Sequence, residues 1–346
     1  MPERRRRVSA EDVAREAGVS RTTVSFVLNN TPGKGIAEST RQRVLDAAAR
    51  LGYEPNEHAR KLARTRSLSV GVLVCHTQFT YSDVFITRVL EGMSQVANRF
   101  RARLVLEPVR IDEPSYLELA RRYGFDGIIL INAHDEDPAL MEIAAERFPA
   151  VSMDDVGEIA IDQVYVDNAA AASELTSYLL GLGHRRIGFI GHAAHTYYSS
   201  RKRLEGYRRA LEGAGYVFDP SYVAFADFSE RSGYIQAQAL FERVGEVDAI
   251  FAGNDVVAYG AIRAVIDRGC RIPDDLSIVG FDDDYVSRFL NPPLTTMALP
   301  ANSFGAAALE MLMQRVAEPS IRDPRNRILE ARLAVRGSCA PPASSS

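Results

Sequence analysis

Apolar residues recur at helical spacing in two short stretches near the start of the chain. Val13, Ala14 and Ala17 share one face of the first, and Val24, Val27 and Leu28 share one face of the second. Ser9 is placed to cap the first stretch, with Asp12 three residues on, and Gly18 suits the left-handed stop at its end. Ser20 is placed to cap the second, which runs from Arg21 to Leu28. A third helix is predicted from Glu38 to Leu51, with Val44, Leu45, Ala48 and Leu51 on one side and Gly52 as its stop. Pro55 then breaks the chain, and Asn56 to Ala63 fits about two helical turns, a length that needs a partner to order it. From Ser67 the texture changes to short apolar runs that alternate with helical periodicity. Strands are predicted at 70–74, 104–106, 127–131, 150–153, 187–190, 222–223, 249–251 and 277–281. Helices are predicted at 85–100, 116–123, 138–147, 202–214, around 237–241 and at 256–267. Alternating strands and helices with wholly apolar strands mean parallel sheets covered on both faces, which bind ligands at the strands' carboxyl ends. The span is too long for one small sheet, so two similar lobes with a cleft between them are expected.

The two leading helices and their Gly18-Val19-Ser20 corner have the layout of a helix-turn-helix, whose second helix lies in the DNA major groove. An ordinary small helical hairpin has the same pattern, and charge helps to separate the two readings. Residues 1–66 hold 14 Lys and Arg against 8 Asp and Glu, whereas residues 67–346 hold 27 against 37. A basic head on an acidic body implies that only the head meets a polyanion. Arg4 to Arg7 read as a disordered, phosphate-seeking arm. The basic stretch 56–66, with Leu62 as its bulky apolar residue, reads either as a DNA-contacting hinge or as a plain charged linker.

Other functions fit less well. No apolar run reaches membrane-spanning length, and no apolar stretch follows the basic N-terminus as in a signal peptide. Cys75, Cys270 and Cys339 lack metal-ligand spacing and suit a reducing cytoplasm. Asp282-Asp283-Asp284 suggests a metal cluster or paired catalytic acids, but three consecutive residues cannot all point one way, and no nucleophile–base pairing accompanies them. Neither an enzyme, a metal nor a cofactor is expected. Gly33-Lys34-Gly35 lacks the strand and the Ser or Thr of a phosphate loop and reads as a turn.

A series of motifs in a fixed order carries a family resemblance. They are Asp12-Val13-Ala14, Ala17-Gly18-Val19-Ser20, Thr23-Val24-Ser25, Val27-Leu28-Asn29, Gly52-Tyr53-Glu54-Pro55-Asn56 and Ala59-Arg60. Further on come Gly183-His184-Arg185-Arg186-Ile187-Gly188-Phe189-Ile190-Gly191, Arg203-Leu204-Glu205-Gly206-Tyr207, Asn254-Asp255, Val279-Gly280-Phe281-Asp282 and Pro292-Pro293-Leu294-Thr295-Thr296. Across roughly residues 8–337 the chain resembles the LacI family of bacterial transcription regulators. The resemblance implies an α/β protein: an all-helical helix-turn-helix headpiece (1–55), a hinge helix and linker (56–68) and a two-lobed periplasmic-binding-protein-like core with parallel sheets (69–340). Residues 341–346 are expected to be a disordered tail without heptads. Lobe 1 is expected at about 69–162 and 295–327, and lobe 2 at about 163–294 and 328–340, with crossings near Asp162, Leu294 and Ile328.

The resemblance also implies site residues. Arg21 and Thr22 fall at base-reading positions, where Arg21 suits a guanine and Thr22 a base or a thymine methyl. Ser20, Thr23, Ser25 and Asn29 are expected at the DNA, the last three on phosphates. Phe26 departs from the polar residue common there and reads equally as a thymine-methyl contact or as packing. Leu62 matches the hinge residue that wedges into the minor groove. Asp154, Arg203, Asn254 and Asp282 fall at effector positions, and Tyr81, Ser82 and Phe85 lie where aromatic contacts occur. Carboxylates, a guanidinium fork and an amide suit a hydroxyl-rich, sugar-like effector. His192, His195, Tyr197 and Tyr198 read either as pocket lining or as a surface loop. Pseudo-palindromic operator DNA and a second copy of the chain are the expected macromolecular partners, with no membrane. The alternative is a small-molecule (sugar) binding protein without regulatory DNA binding.

Overall fold

The computed structural model describes residues 10–28, 36–51, 67–75, 80–81, 83–110, 115–134, 137–321 and 323–342, without the side chains of Ala10, Arg21, Ser25 and Leu28. The chain divides into two compact units, Met1–Ser67 and Leu68–Ser346. The predicted hinge at 56–66, the arm at 4–7 and the turn at 33–35 lie outside the described residues.

The first unit holds helices α1 (Ala10–Ala17), α2 (Arg21–Leu28) and α3 (Glu38–Arg50). Gly18 stops α1 at φ +65°, a conformation that costs a glycine nothing. The Ser20 hydroxyl accepts the Thr23 N–H at 3.1 Å and so caps α2. Val13, Ala14 and Ala17 of α1 pack with Val24 and Val27 of α2 and with Val44, Ala47 and Ala48 of α3. Leu45 was expected on that face but is 41% exposed. The inward register of α3 runs Val44, Ala47, Ala48 and Leu51, and Leu45 lies one residue, about 100°, off it.

The second unit begins with β1 (Leu68–Val74), α4 (Val84–Phe100), β2 (Ala102–Pro108), α5 (Tyr116–Tyr123) and β3 (Gly127–Ile131). It continues through α6 (Pro138–Glu146), β4 (Ala150–Ser152), β5 (Asp162–Val166), α7 (Asn168–Leu182), β6 (Ile187–Gly191) and α8 (Tyr198–Gly213). Then come β7 (Val223–Phe225), α9 (Glu230–Val244), β8 (Ala249–Ala252), α10 (Asp255–Asp267) and β9 (Ser277–Asp282). The chain closes with β10 (Thr295–Ala298), α11 (Ala301–Ala317), β11 (Asn326–Leu329) and β12 (Arg332–Ala334). The strands form two six-stranded sheets, ordered β11-β5-β4-β3-β1-β2 and β12-β10-β9-β8-β6-β7. Every pairing is parallel except β10 with β12. Each sheet with its helices is one lobe.

The chain crosses between lobes after β5, between β10 and α11, and between β11 and β12. Each crossing falls a few residues later than Asp162, Leu294 or Ile328. Strand β5 pairs with β4 and β11 in the first sheet, whereas β10 pairs with β9 in the second. Those non-local pairings, not the local pattern, decide where each strand belongs. Two other elements also shift: α8 starts a turn before Lys202, and Tyr222 belongs to a 3-10 turn, Pro220–Tyr222, ahead of β7.

Glycine lets α4 and α11 cross backbone to backbone. A Cβ on Gly92 would sit 1.9 Å from the Asn302 carbonyl oxygen, and one on Gly305 would sit 1.9 Å from that of Val89. This crossing covers one face of the first sheet, with Met93, Val96, Phe304 and Leu309 in its core. No described helix is long and apolar enough to cross a membrane.

Candidate functional site

Parallel strands that end together leave their last residues at one edge, and in both lobes that edge faces the cleft. Asn132 follows β3, Met153 and Asp154 follow β4, Asn254 lies just past β8, and Asp282 ends β9. These residues line one cavity together with Asp83 and Phe85 at the start of α4, Asn168 of α7, Ser199 and Arg203 of α8, His192, Phe228 and Phe304. The lining holds about 540 Å³ of space, its mouth included. Of the seven sequence-predicted effector positions, Asp154, Arg203, Asn254, Asp282 and Phe85 converge here. Tyr81 is 74% exposed and not in the lining, and Ser82 lies outside the described residues.

Arg203 is the hub. Its Nε donates to Asn168 Oδ1 at 2.9 Å, its Nη1 donates to the Gly253 carbonyl, and its Nη2 lies 3.5 Å from Asp282 Oδ1. The guanidinium carbon sits 3.8 Å from the centroid of the Phe281 ring, a cation–π contact made by a buried guanidinium. Asp282 adopts φ +106° and Asp283 φ +54°, two successive non-glycine residues in the left-handed region. Arg88 of α4 reaches across the cleft from lobe 1 and donates to the Asp283 carbonyl at 2.8 Å. The His134 and Tyr197 rings meet at 3.9 Å between centroids, joining the lobes a second time.

The three consecutive aspartates go separate ways, as their spacing implied. Asp282 faces Arg203, and Asp283 takes Arg288 and Arg336 at 2.8 and 2.6 Å. The Asp284 backbone N–H donates to Asp255 at 2.8 Å, while its buried Oδ1 has no hydrogen-bond partner. Burial pushes the carboxyls of Asp154 and Asp255 up to about 6 and that of Asp284 to about 7. Burial also holds Asp282 well above the usual range, although Arg203 pulls it down. Among the described residues no group of three or more His, Cys, Asp and Glu could hold a metal ion.

Sequence reasoning did not single out Asp83, Asn132, Asn168, Ser199, Phe228 or Phe304. Asp83 had a readable signal: it stands directly before the helical pattern of α4, and its carboxylate caps that helix through the Ile86 N–H at 3.0 Å. The loop read in two ways divides. His192 lines the cleft with Nε2 3.2 Å from Ser199 Oγ, Tyr198 is buried among lobe 1 residues, and His195 is exposed.

On α2, Thr22 is exposed, Thr23 partly so and Phe26 half-buried. The positions of Arg21 and Ser25 lie on the same helix without described side chains, and Asn29 and Leu62 fall outside the described residues. A capped helix-turn-helix in one unit and a two-lobed core with a polar cleft in the other define a DNA-binding protein built to respond to a small molecule.

Comparison with known proteins agrees. Residues 9–56 match the family described as bacterial regulatory proteins, lacI family, and residues 176–339 match the periplasmic binding protein-like domain. The chain is 35% identical over 342 residues to the HTH-type transcriptional regulator DegA of Bacillus subtilis (strain 168), covering 95% of this chain and 97% of that one. Among solved structures, a transcriptional regulator CelR–cellobiose complex superposes with a TM-score of 0.71 at 30% identity, covering 96% of this chain and all of that one. A lac repressor dimer bound to operator and the anti-inducer ONPF gives 0.69 at 27% identity, with 97% and 100% covered. The chain belongs to the LacI family and is a DNA-binding transcriptional regulator.

Proposed function

We propose that this regulator is a cytoplasmic repressor, acting as a homodimer without catalysis, whose operator affinity is set by a small hydroxyl-rich molecule in the cleft. The observation that carries this reading is the convergence of Asp154 from lobe 1 with Arg203, Asn254 and Asp282 from lobe 2 on one cavity. Carboxylates accept from sugar hydroxyls, the guanidinium donates, and the amide does both. A molecule held by both lobes favours one lobe arrangement over the other, and that differential affinity is what a ligand needs to move an equilibrium. The change reaches the DNA through the hinge at 56–68, where Leu62 is the wedge, while Arg21 and Thr22 read bases, Thr23, Ser25 and Asn29 steady the helix on the backbone, Ser20 lies at the DNA, and Phe26 either meets a thymine methyl or packs. The cellobiose of the CelR complex and the dimeric lac repressor on its operator support the ligand class and the assembly. A thermal-shift screen of sugars and polyols on the full chain tests the proposal, with Arg203→Ala as control. A binder should raise the melting temperature of the wild type and leave the variant unmoved; equal shifts in both would place the ligand elsewhere.

A further inference from the structure

We propose that the cleft takes an uncharged hydroxyl-rich molecule and rejects the phosphate ester of that same molecule, an inference that rests on the sugar reading above. The charges in the lining carry it. Asp83, Asp154 and Asp282 are the carboxylates of the cavity wall, and Arg203 is its single Lys or Arg among the described residues. Each Arg203 nitrogen already has a protein partner: Asn168, the Gly253 carbonyl or Asp282. A phosphate would have to share this one guanidinium with Asp282, and the N–H groups left over can each serve a hydroxyl.

Helix N-termini are the usual alternative seat for a phosphate, and four of the six that begin beside this lining are capped from within. Asp83 caps α4, Asp167 caps α7 through the Ala170 N–H at 2.8 Å, Ser229 caps α9 through the Ser232 N–H at 3.1 Å, and Asn254 caps α10 through the Val257 N–H at 2.8 Å. The other two, α8 and α11, have no side-chain cap, but the Tyr198 N–H of α8 points to the Ala133 carbonyl of lobe 1 at 3.4 Å and its Ser200 hydroxyl donates to the Ala193 carbonyl, while the Ala301 N–H of α11 turns back to the Leu299 carbonyl at 2.9 Å. At the α4 terminus the Asp83 carboxylate occupies the place an anion would take. Hydroxyl groups meet the reverse situation, since carboxylate oxygens accept from them and Asn132, Asn168, Asn254 and Ser199 both donate and accept. Like charges set against each other cost enough to exclude a wrong partner.

Isothermal titration of the full chain tests this with matched pairs: glucose and glucose 6-phosphate, ribose and ribose 5-phosphate, cellobiose and its 6′-phosphate. The neutral member of a binding pair should bind at least about 100-fold more tightly than its ester, given the cost of opposed like charges. Asp83→Asn should narrow that gap, because asparagine keeps the helix cap and removes the charge. An ester that binds as tightly as its parent, or more tightly, overturns the inference while leaving the sugar reading intact; it would put the phosphate at the uncapped α8 or α11 terminus. Binding by neither member of any pair removes the sugar reading, and this inference with it.

Discussion

Replacing Arg203 by alanine should strip the cleft of its positive charge and leave Asp282 buried without a counter-charge. At 3.5 Å, an effective dielectric constant of about 20 gives the pair an attraction of about 5 kcal/mol. Stacking on Phe281 at 3.8 Å adds about 2 kcal/mol for a desolvated cation–π contact. Some of this is recovered, because burial already favours the protonated form of Asp282 and a proton can replace the lost partner. The expected net loss is about 3–5 kcal/mol, the range seen when a buried pair is broken from one side. The Arg203→Met/Asp282→Asn double variant removes both charges and should regain at least half of that loss. Urea unfolding of the full chain at pH 7.5, followed by circular dichroism, measures both quantities. The Arg203→Ala penalty should shrink at pH 5.5. A carboxyl whose folded pKa is raised contributes stability below its unfolded pKa and loses it as pH rises through the folded value. A loss under about 1 kcal/mol, the scale of a surface ion pair, would refute this reasoning, as would a double variant no more stable than the single one.

The wild type should itself gain stability as pH falls from about 8 toward the ordinary carboxylate range near about 4, because Asp154 and Asp255 titrate at about 6 and Asp284 at about 7. Below that range stability should collapse. Arg315 and Arg325 hold Asp162 below its usual range, His184 and two backbone N–H groups do the same for Asp248, and Arg288 and Arg336 for Asp283, and each contribution disappears on protonation. Denaturation midpoints across pH 3–9 check this, and a steady decline from pH 8 downward would contradict it. Gly305→Ala should cost about 1–3 kcal/mol by overpacking, whereas Gly213→Ala on α8, with nothing within 4 Å of the new Cβ, should be neutral or slightly stabilising; melting temperatures that move equally would contradict the crossing geometry. Leu62→Ala should weaken specific DNA binding and leave the circular dichroism spectrum unchanged, and an unaltered gel-shift titration would rule out the wedge.

Elements whose sequence pattern decided their structure were legible. The apolar runs Gly127–Ile131 and Ile187–Gly191 became central strands, and the Gly18-Val19-Ser20 corner closed as its residues required. Helices α7 and α11 went unread, because alanine lets them bury residues such as Ala171, Ala172, Ala307 and Ala308 without a clear apolar stripe. The crossings were misplaced because a residue such as Leu294 carries no mark of which sheet its neighbour joins. In the site, motif-borne residues such as Arg203 and Asp282 were readable, whereas Asn132 and Phe228 reach the cleft through long-range folding alone. Tyr81 shows the opposite error, an aromatic residue near the right strand end that the chain turns toward solvent.

The link between cleft and DNA rests on a single comparison. An operator duplex selected from random sequence should be titrated with the full chain at fixed salt, by fluorescence anisotropy, with and without a saturating ligand from the sugar screen. The ligand should change the operator Kd by about 5–150-fold, and the operator should change the ligand Kd by the same factor, as reciprocity demands. An operator Kd that stays the same at saturating ligand would mean that the cleft and the DNA-reading helix are not coupled.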